Sequence, residues 1–293
     1  MKALATLMLL AASAAAATPM RYAEFQRLPQ PPAPRLIAYG ADPLQHVELW
    51  KPAGKGPFPV VLMLHGGCWQ TAVAKADIMH MLAADLVKRG IAVWNVDYRG
   101  VDLPGGGYPG TFRDVAQAAD LLAREGPALG LNTRRVVAVG HSAGGHLALW
   151  LAARPRLAKA SPLWSAHPLP IAGVLSQGGL PDLALTKSDA TEACGVDTVD
   201  TLVGPKTAAH PDPYADTSVD RLLPIGVPQT LVNGAADPIA PPRFAAAWVA
   251  KAKTAGERVT SIVVPDQGHF ELITPGTPAW AQEVGVIEGM LKR

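Results

Sequence analysis

The sequence predicts an α/β fold, a doubly wound and mostly parallel sheet with helices on both faces. Two observations carry this prediction. Apolar runs typical of strands alternate along the chain with amphipathic stretches typical of helices, and most of the strand-like runs are apolar throughout. A strand with an uninterrupted apolar run is buried on both faces, as in a parallel sheet that helices cover on each side.

The elements follow from apolar periodicity and from the glycines and prolines that end each run. The predicted strands, in chain order, are 46–52, 60–67, 91–100, 136–140, 171–179, 228–237 and 258–265. The predicted helices, which show apolar spacing of three and four residues, are 77–90, 112–126, 143–154, 243–256 and 278–293.

Two segments fall outside this alternation. Residues 18–36 are rich in proline and polar residues, which predicts an extended lead-in. Residues 180–227 break the pattern with Pro, Asp, Thr and Ala, and we expect a cap-like insertion over the C-terminal edge of the sheet. With no internal repeat, residues 18–293 are expected to form a single α/β domain.

Composition excludes several classes of protein. Apolar residues make up 49% of the 293 residues, enough for a large core, and the net charge of +2 is spread along the chain. Nothing resembles a basic stripe, so nucleic acid is not an expected partner. No pair of histidines has zinc-ligand spacing with a carboxylate, so neither a metal nor another cofactor is expected.

The first residues resemble a secretory signal peptide. Lys2 precedes an apolar run that ends in small residues, with Ala15 and Ala17 in the positions that signal peptidase reads. We expect cleavage after residue 17 and a periplasmic or secreted protein with no membrane attachment; an apolar N-terminal helix is the alternative. Export permits a disulfide between Cys68 and Cys194, but their wide separation does not establish one, and free thiols are favoured.

The stretch VVAVGHSAGG, residues 136–145, predicts a nucleophile elbow at Ser142. In this motif a serine stands on a sharp turn between a strand and a helix, so that its hydroxyl projects freely. Glycines at positions 140 and 144 allow such a turn because a larger side chain would meet the neighbouring strand or helix. The placement between a predicted strand and a predicted helix makes the motif far more specific than the pentapeptide alone.

A serine hydroxyl is a weak nucleophile and needs a base. In an open α/β sheet, ligands bind beyond the carboxyl ends of the strands, and His269 and Asp237 both follow strands there. We predict His269 as the base and Asp237 as the acid that orients it. Asp237 could instead be a turn residue before Pro238, and Asp266 is the backup acid.

The other histidines are expected to be structural. His65 and His141 are expected to shape their loops, and His146 to pack within the helix after Ser142. The histidines expected on the surface are His46, His80, His167 and His210.

An acyl-transfer site also needs donors for the negative charge that develops on the carbonyl oxygen. The sequence His65-Gly66-Gly67 follows a predicted strand, and glycines let the main chain approach a substrate closely. We predict an oxyanion hole built from the backbone N–H groups of Gly67, Cys68 and Ala143. A glycine turn that merely ends the strand is the alternative.

Together, HGGCW, GHSAGG, Asp237 and His269 resemble the α/β-hydrolase superfamily. The closest resemblance is to its HGG-type esterases, including kynurenine-formamidase-like and feruloyl-esterase-like bacterial hydrolases, and it covers essentially the whole chain after residue 17. The resemblance implies the α/β-hydrolase fold, with Ser142 as nucleophile, His269 as base and Asp237 as acid. Cys68 departs from the pattern, since a third glycine or an aromatic residue is common there.

We therefore expect a serine hydrolase that cleaves a small-molecule ester or amide through an acyl-enzyme. Trp69, Tyr108 and residues 180–223 are expected to line the substrate pocket, although Trp69 could equally anchor its loop in the core. Two alternatives stay open. One is an arylformamidase or peptidase of the same fold, and the other is a non-catalytic binding protein on a hydrolase scaffold.

Overall fold

The computed structural model describes residues 18–33, 35–189 and 194–292. The predicted signal peptide, residues 1–17, lies outside the described residues. The strands are β1 (Leu36–Ala38), β2 (His46–Trp50), β3 (Phe58–Leu64), β4 (Ala92–Val96), β5 (Leu131–His141), β6 (Ile171–Gln177), β7 (Gln229–Gly234) and β8 (Val259–Val264).

These strands form one sheet in the order β1-β2-β4-β3-β5-β6-β7-β8. The pairings β1–β2 and β2–β4 are antiparallel, and every later pairing is parallel. The mostly parallel sheet predicted from the apolar runs is confirmed. The short strand β1 begins at the last residue of the predicted lead-in 18–36, and its side chains are largely exposed, which is why apolar periodicity did not reveal it. The lead-in is not extended throughout, because Tyr22–Phe25 form a short helix that buries Phe25.

Helices cover both faces of this sheet. The α-helices are α1 (Tyr22–Phe25), α2 (His80–Lys88), α3 (Gly110–Glu125), α4 (Ala143–Ala153), α5 (Leu183–Asp189), α6 (Thr198–Val203), α7 (Pro242–Thr254) and α8 (Pro278–Lys292). Short 3-10 helices span Ala76–Met79, Pro127–Leu129, Arg154–Arg156, Val219–Leu222 and Glu271–Ile273. The predicted helix 77–90 is thus divided into a 3-10 turn and α2.

The core consists of two layers because successive residues of a strand point to opposite faces. In β3, Val60, Leu62 and Leu64 pack with residues of α3, α4 and α7. Val61 and Met63 point the other way and pack with residues of α2 and α8. A central strand buried on both faces must be apolar at every position, which explains the uninterrupted apolar runs.

The segment between β6 and β7 contains α5, α6 and the 3-10 helix Val219–Leu222. It is linked to the C-terminal edge of the sheet by a disulfide between Cys194 and Cys68, which lies in the loop after β3. The expectation of free thiols is therefore wrong. The fold brings the two Cα atoms within 5.3 Å although 126 residues separate them along the chain.

No helix within the described ranges is long and apolar enough to cross a membrane.

Candidate active site

Ser142 lies at the bend between β5 and α4, where the elbow motif predicts it. Its backbone angles, φ 53° and ψ −118°, are unusual for a residue with a side chain, so the surrounding structure must hold them. A Cβ at position 140 would lie 2.0 Å from the carbonyl oxygen of Gly144, and one at position 144 would lie 2.2 Å from that of Leu64. Both glycines are therefore required by the close approach of β3, β5 and α4.

His269 and Asp237 form a hydrogen-bonded pair beyond the ends of β8 and β7. The Nδ1 of His269 lies 2.7 Å from Oδ2 of Asp237, and each residue is only 3% exposed. The other carboxylate oxygen of Asp237 accepts hydrogen bonds from the backbone N–H groups of Ile239 and Ala240. The geometry of Asp237 is compatible with both interpretations, because one oxygen pairs with His269 and the other holds the turn.

The backup acid does not take part in this pair. Asp266 has an exposed side chain and a φ of 56° in the tight turn after β8. Its position three residues before His269 does not bring its carboxylate to the imidazole, whereas Asp237 reaches the imidazole from the neighbouring strand.

The loop of the predicted oxyanion hole has a run of left-handed residues, with φ of 103° at Gly67, 53° at Cys68 and 55° at Trp69. A Cβ at position 67 would lie 2.8 Å from the side chain of Ala74, so only glycine fits there. Ala143 is the first residue of α4, and its N–H therefore has no acceptor within the helix. Gly67, Cys68 and Ser142 line one cavity.

The two predicted substrate-binding aromatics lie elsewhere. Trp69 is completely buried in the core and contacts the His146 ring edge-on, so it anchors the loop after β3 and does not line the cavity. Tyr108 stacks on His210 at 4.1 Å and donates a hydrogen bond to Asp216. Neither side chain lines the cavity that contains Ser142, and the position of Trp69 agrees with the alternative expectation that it anchors its loop in the core.

The cavity that contains Ser142 and His269 has a volume of about 460 Å³. This size falls in the usual range for small-molecule sites. Its lining is mainly apolar and includes no described residue of 180–227, contrary to the expected role of the cap-like insertion. The lining residues are Pro19, Met20, Arg21, Tyr22, Gly67, Cys68, Val73, Ala74, Ile78, His141, Ser142, Pro238, Ile239, His269 and Phe270.

His141 supports the imidazole of His269. Its Nε2 donates to the carbonyl oxygen of His269 at 3.1 Å, and the two rings lie 4.4 Å apart. Burial, reinforced by the proximity of His269, lowers the pKa of His141 well below its usual value. The His141 imidazole is therefore expected to be neutral. It holds the backbone of His269 through this hydrogen bond without placing a second positive charge beside the His269 ring.

Gly178 is a further residue of the site that the sequence analysis did not single out. Its φ is 53°, and a Cβ at this position would lie 3.1 Å from the His269 ring and 3.2 Å from Oδ2 of Asp237. The absence of a side chain thus leaves room for the hydrogen-bonded pair. The glycines after β6 were visible in the sequence, but nothing local to them indicated what they faced.

Of the histidines expected on the surface, His167 is exposed, His46 and His210 are partly buried, and His80 is buried. His146 is buried within α4, donates to the carbonyl of Thr217, and burial lowers its pKa to about 4. His80 was expected on the surface and is instead buried, with Nε2 2.8 Å from the carboxylate of Glu48. The acidic partner of His80, Glu48, lies on β2, far from His80 in sequence.

Across the part of the chain that the structure describes, no group of three or more His, Cys, Asp or Glu side chains could hold a metal ion.

Solved structures of esterases have the same fold. Esterase B from Lactobacillus rhamnosis, in a complex with an inhibitor, superposes with a TM-score of 0.74 at 20% identity over 92% of this chain and 91% of that chain. A truncated carbohydrate esterase from gut microbiota gives a TM-score of 0.70 at 18% identity, over 90% of this chain and 98% of that one. At these identities the likeness shows the α/β-hydrolase fold.

A curated relative is similar in sequence over a shorter stretch. The probable isoprenylcysteine alpha-carbonyl methylesterase ICMEL1 of Oryza sativa subsp. japonica is 30% identical over 115 residues. That stretch is 39% of this chain and 26% of the relative, so this chain matches about a quarter of the relative's length. The model of the BD-FAE family matches residues 47–251, well over half of the chain. This chain belongs to the BD-FAE family of α/β-hydrolases.

Proposed function

We propose that this protein hydrolyses carboxylic esters of small molecules by a serine mechanism that passes through an acyl-enzyme. The observation that carries the proposal is the arrangement around the cavity. The strained elbow of Ser142 and the buried His269–Asp237 pair meet at one apolar cavity. The kinship with esterases supports the same activity.

In the proposed reaction, His269 acts as the general base. Because Nδ1 of His269 donates to Asp237, the other ring nitrogen carries no proton and can accept one. Oγ of Ser142 attacks the ester carbonyl carbon as its proton moves to Nε2 of His269. The imidazolium that results is stabilised by the Asp237 carboxylate, and it then protonates the departing alcohol.

The negative charge of the tetrahedral intermediate is assigned to the backbone N–H groups of Gly67, Cys68 and Ala143. The N-terminus of α4 adds the positive end of its dipole at the same place. Fixed donors of this kind need no rearrangement as charge develops, and each contributes about a hundred- to a thousandfold in rate. Water then attacks the acyl-enzyme with His269 again as base, releasing the acid and regenerating Ser142.

We also propose that the protein functions in the periplasm or outside the cell. The proposal rests on the signal-like residues 1–17, and the Cys68–Cys194 disulfide supports it, since disulfides persist in oxidising compartments.

The experiment that tests the proposed activity is labelling with a fluorophosphonate probe, followed by location of the adduct by mass spectrometry. The full chain with a C-terminal tag is expressed beside Ser142→Ala, and both are assayed with para-nitrophenyl esters. We expect an adduct on Ser142 alone and a fall in kcat of about a million-fold in Ser142→Ala.

Two results would contradict the proposal. An adduct on another residue, or ester turnover by Ser142→Ala near that of the wild type, would exclude Ser142 as nucleophile. A folded wild-type protein that neither reacts with the probe nor cleaves any ester would favour a binding protein on the same scaffold. A parallel panel of aryl formamides and dipeptides distinguishes an esterase from an amidase, because the bond cleaved in these substrates is an amide C–N bond and not an ester C–O bond.

A further inference from the structure

The N-terminal strap, residues Pro19 to Tyr22, lines the cavity that contains Ser142 and His269. It ends at the first residue of α1 and lies far in sequence from every other residue of the site. The sequence predicts an extended lead-in here and does not link it to the site. The structure instead makes this segment part of the cavity wall.

The strap is attached to the loop that carries His269. One carboxylate oxygen of Glu271 accepts a hydrogen bond from the backbone N–H of Met20, and the other accepts one from the N–H of Gly268 at 3.0 Å. Pro19 packs closely on this loop, and a Cβ added at position 268 would lie only 2.6 Å from the Cβ of Pro19. Glu271 thus joins the strap to Gly268, the residue that directly precedes His269.

Aromatic packing extends this attachment. The Tyr22 ring stacks on Phe270 at 5.2 Å, and the ring of Phe25, in the same segment, stacks on Phe270 at 5.6 Å. The Tyr22 hydroxyl donates to the carbonyl oxygen of Val73 at 2.6 Å. The strap therefore connects the His269 loop to the segment after β3, and both of these also line the cavity.

The surface that the strap presents with its neighbours is apolar. Pro19, Met20 and Tyr22 line the cavity together with Val73, Ile78, Ile239 and Phe270. The charged member of the strap, Arg21, also lines the cavity, but it is exposed and its guanidinium pairs with the carboxylate of Glu24. A ligand in this part of the cavity therefore meets hydrocarbon and aromatic rings, while the polar chemistry is confined to the residues around Ser142.

We propose that the N-terminal strap is the specificity-determining wall of this site, and that it selects esters with an apolar substituent long enough to reach Met20 and Tyr22. This inference rests on the proposed ester hydrolysis. Each additional methylene that becomes buried against such a wall raises kcat/KM by about three- to fourfold. The apolar group can belong to the acyl or to the alcohol part of the ester, and the test separates the two.

The test measures kcat/KM of Met20→Ala on two ester series. One varies the acyl chain from acetate through butyrate and hexanoate to octanoate on a para-nitrophenyl leaving group, and the other varies the alcohol on a fixed acetate. We expect the ratio of the longest to the shortest member to fall about tenfold in one series, which identifies the part of the ester that the strap contacts. Leu28→Ala is the matched control, since Met20 and Leu28 are both partly buried against the same core but Leu28 does not line the cavity.

A second variant tests the attachment of the strap. Glu271→Gln keeps the side-chain shape but removes the charge that holds Met20 and Gly268. We expect KM to rise for the long esters with a smaller change in kcat, because the wall loosens. Tyr22→Phe, which loses only the bond to Val73, should shift the length preference in the same direction.

The proposal is overturned if Met20→Ala and Tyr22→Phe change all esters equally, or if Leu28→Ala alters the length preference as much as they do. These results would leave the proposed ester hydrolysis intact, because the wild-type protein would still be active and labelled at Ser142. Absence of ester hydrolysis by the wild type would instead overturn both proposals.

Discussion

Replacement of Asp237 by asparagine is expected to lower kcat about ten-thousandfold while the protein stays folded. The expectation follows from the two tasks of this carboxylate. Oδ2 accepts from His269 Nδ1 at 2.7 Å, and Oδ1 accepts from the N–H groups of Ile239 and Ala240 at 2.8 and 2.9 Å. An asparagine has a single oxygen and an NH₂ group that cannot accept a hydrogen bond.

The turn decides which way that amide points. The oxygen must face the two backbone N–H groups, since an NH₂ group there would leave two donors unpaired at a buried position. The NH₂ group then faces His269, which can pair with it only by placing its own proton on Nε2. In that tautomer the imidazole cannot take the Ser142 proton. A loss of ten-thousandfold corresponds to about 5 kcal/mol of transition-state stabilisation.

The assay is steady-state hydrolysis of para-nitrophenyl butyrate, with thermal unfolding of each variant measured in parallel. Asp266→Asn is the matched control, because Asp266 lies only three residues before His269 but its carboxylate is exposed. Its kcat should stay within about twofold of the wild type. The reasoning is refuted if folded Asp237→Asn keeps kcat within about tenfold of the wild type, or if Asp266→Asn suffers the large loss.

Three further changes test how the surrounding structure supports the site. Gly178→Ala should lower kcat, because the added Cβ would crowd the His269–Asp237 pair. Gly276→Ala is the control: its φ is also positive but the space around it is open, so it should lower only stability. Equal kcat values for the two variants would contradict this reasoning. Burial raises the pKa of Glu283 well above its usual value, so the folded protein should lose stability as pH rises above about 4.5, and Glu283→Gln should lack that loss in urea unfolding at several pH values. Parallel pH profiles would refute it. Cys194→Ser, which opens the bridge to Cys68, should lower the unfolding free energy by about 2–5 kcal/mol, and an unchanged urea midpoint would show that the bridge contributes nothing.

Glu283 also illustrates how the interior below the site is built. It is fully buried in α8 and accepts a hydrogen bond from the Gln177 side chain at 2.7 Å. The backbone carbonyl of Gln177 in turn accepts from the N–H of Ser142 at 2.8 Å. A neutral carboxyl at this depth avoids the cost of burying a charge without a cationic partner.

Local sequence was sufficient where the physical constraint is itself local. The elbow at Ser142 needs a strand, small residues and a helix in immediate succession, and all three can be read from ten consecutive residues. The central strands could be predicted equally well, because burial on both faces requires an apolar side chain at every position. Once the strands were located in this way, Ser142, Asp237 and His269 could be placed, in that chain order, beyond the carboxyl ends of three strands.

Tertiary structure alone decided the features that depend on contacts between distant segments. The sequence could not tell that Cys68 and Cys194 are bonded, that Glu48 keeps His80 in the interior, or that Trp69 is an anchor. Each depends on which segments the folded sheet brings together, and apolar periodicity contains no information about contacts between distant segments.

The wall of the cavity is the clearest case. Residues 180–223 were expected to line it, but no described residue of that range does, and residues 19–22 form part of the wall instead. The arrangement of Ser142, Asp237 and His269 could therefore be predicted from the sequence, because a nucleophile elbow and the residues at neighbouring strand ends obey strict local geometry. The shape of the pocket could not, because it arises where chain segments far apart in sequence pack together.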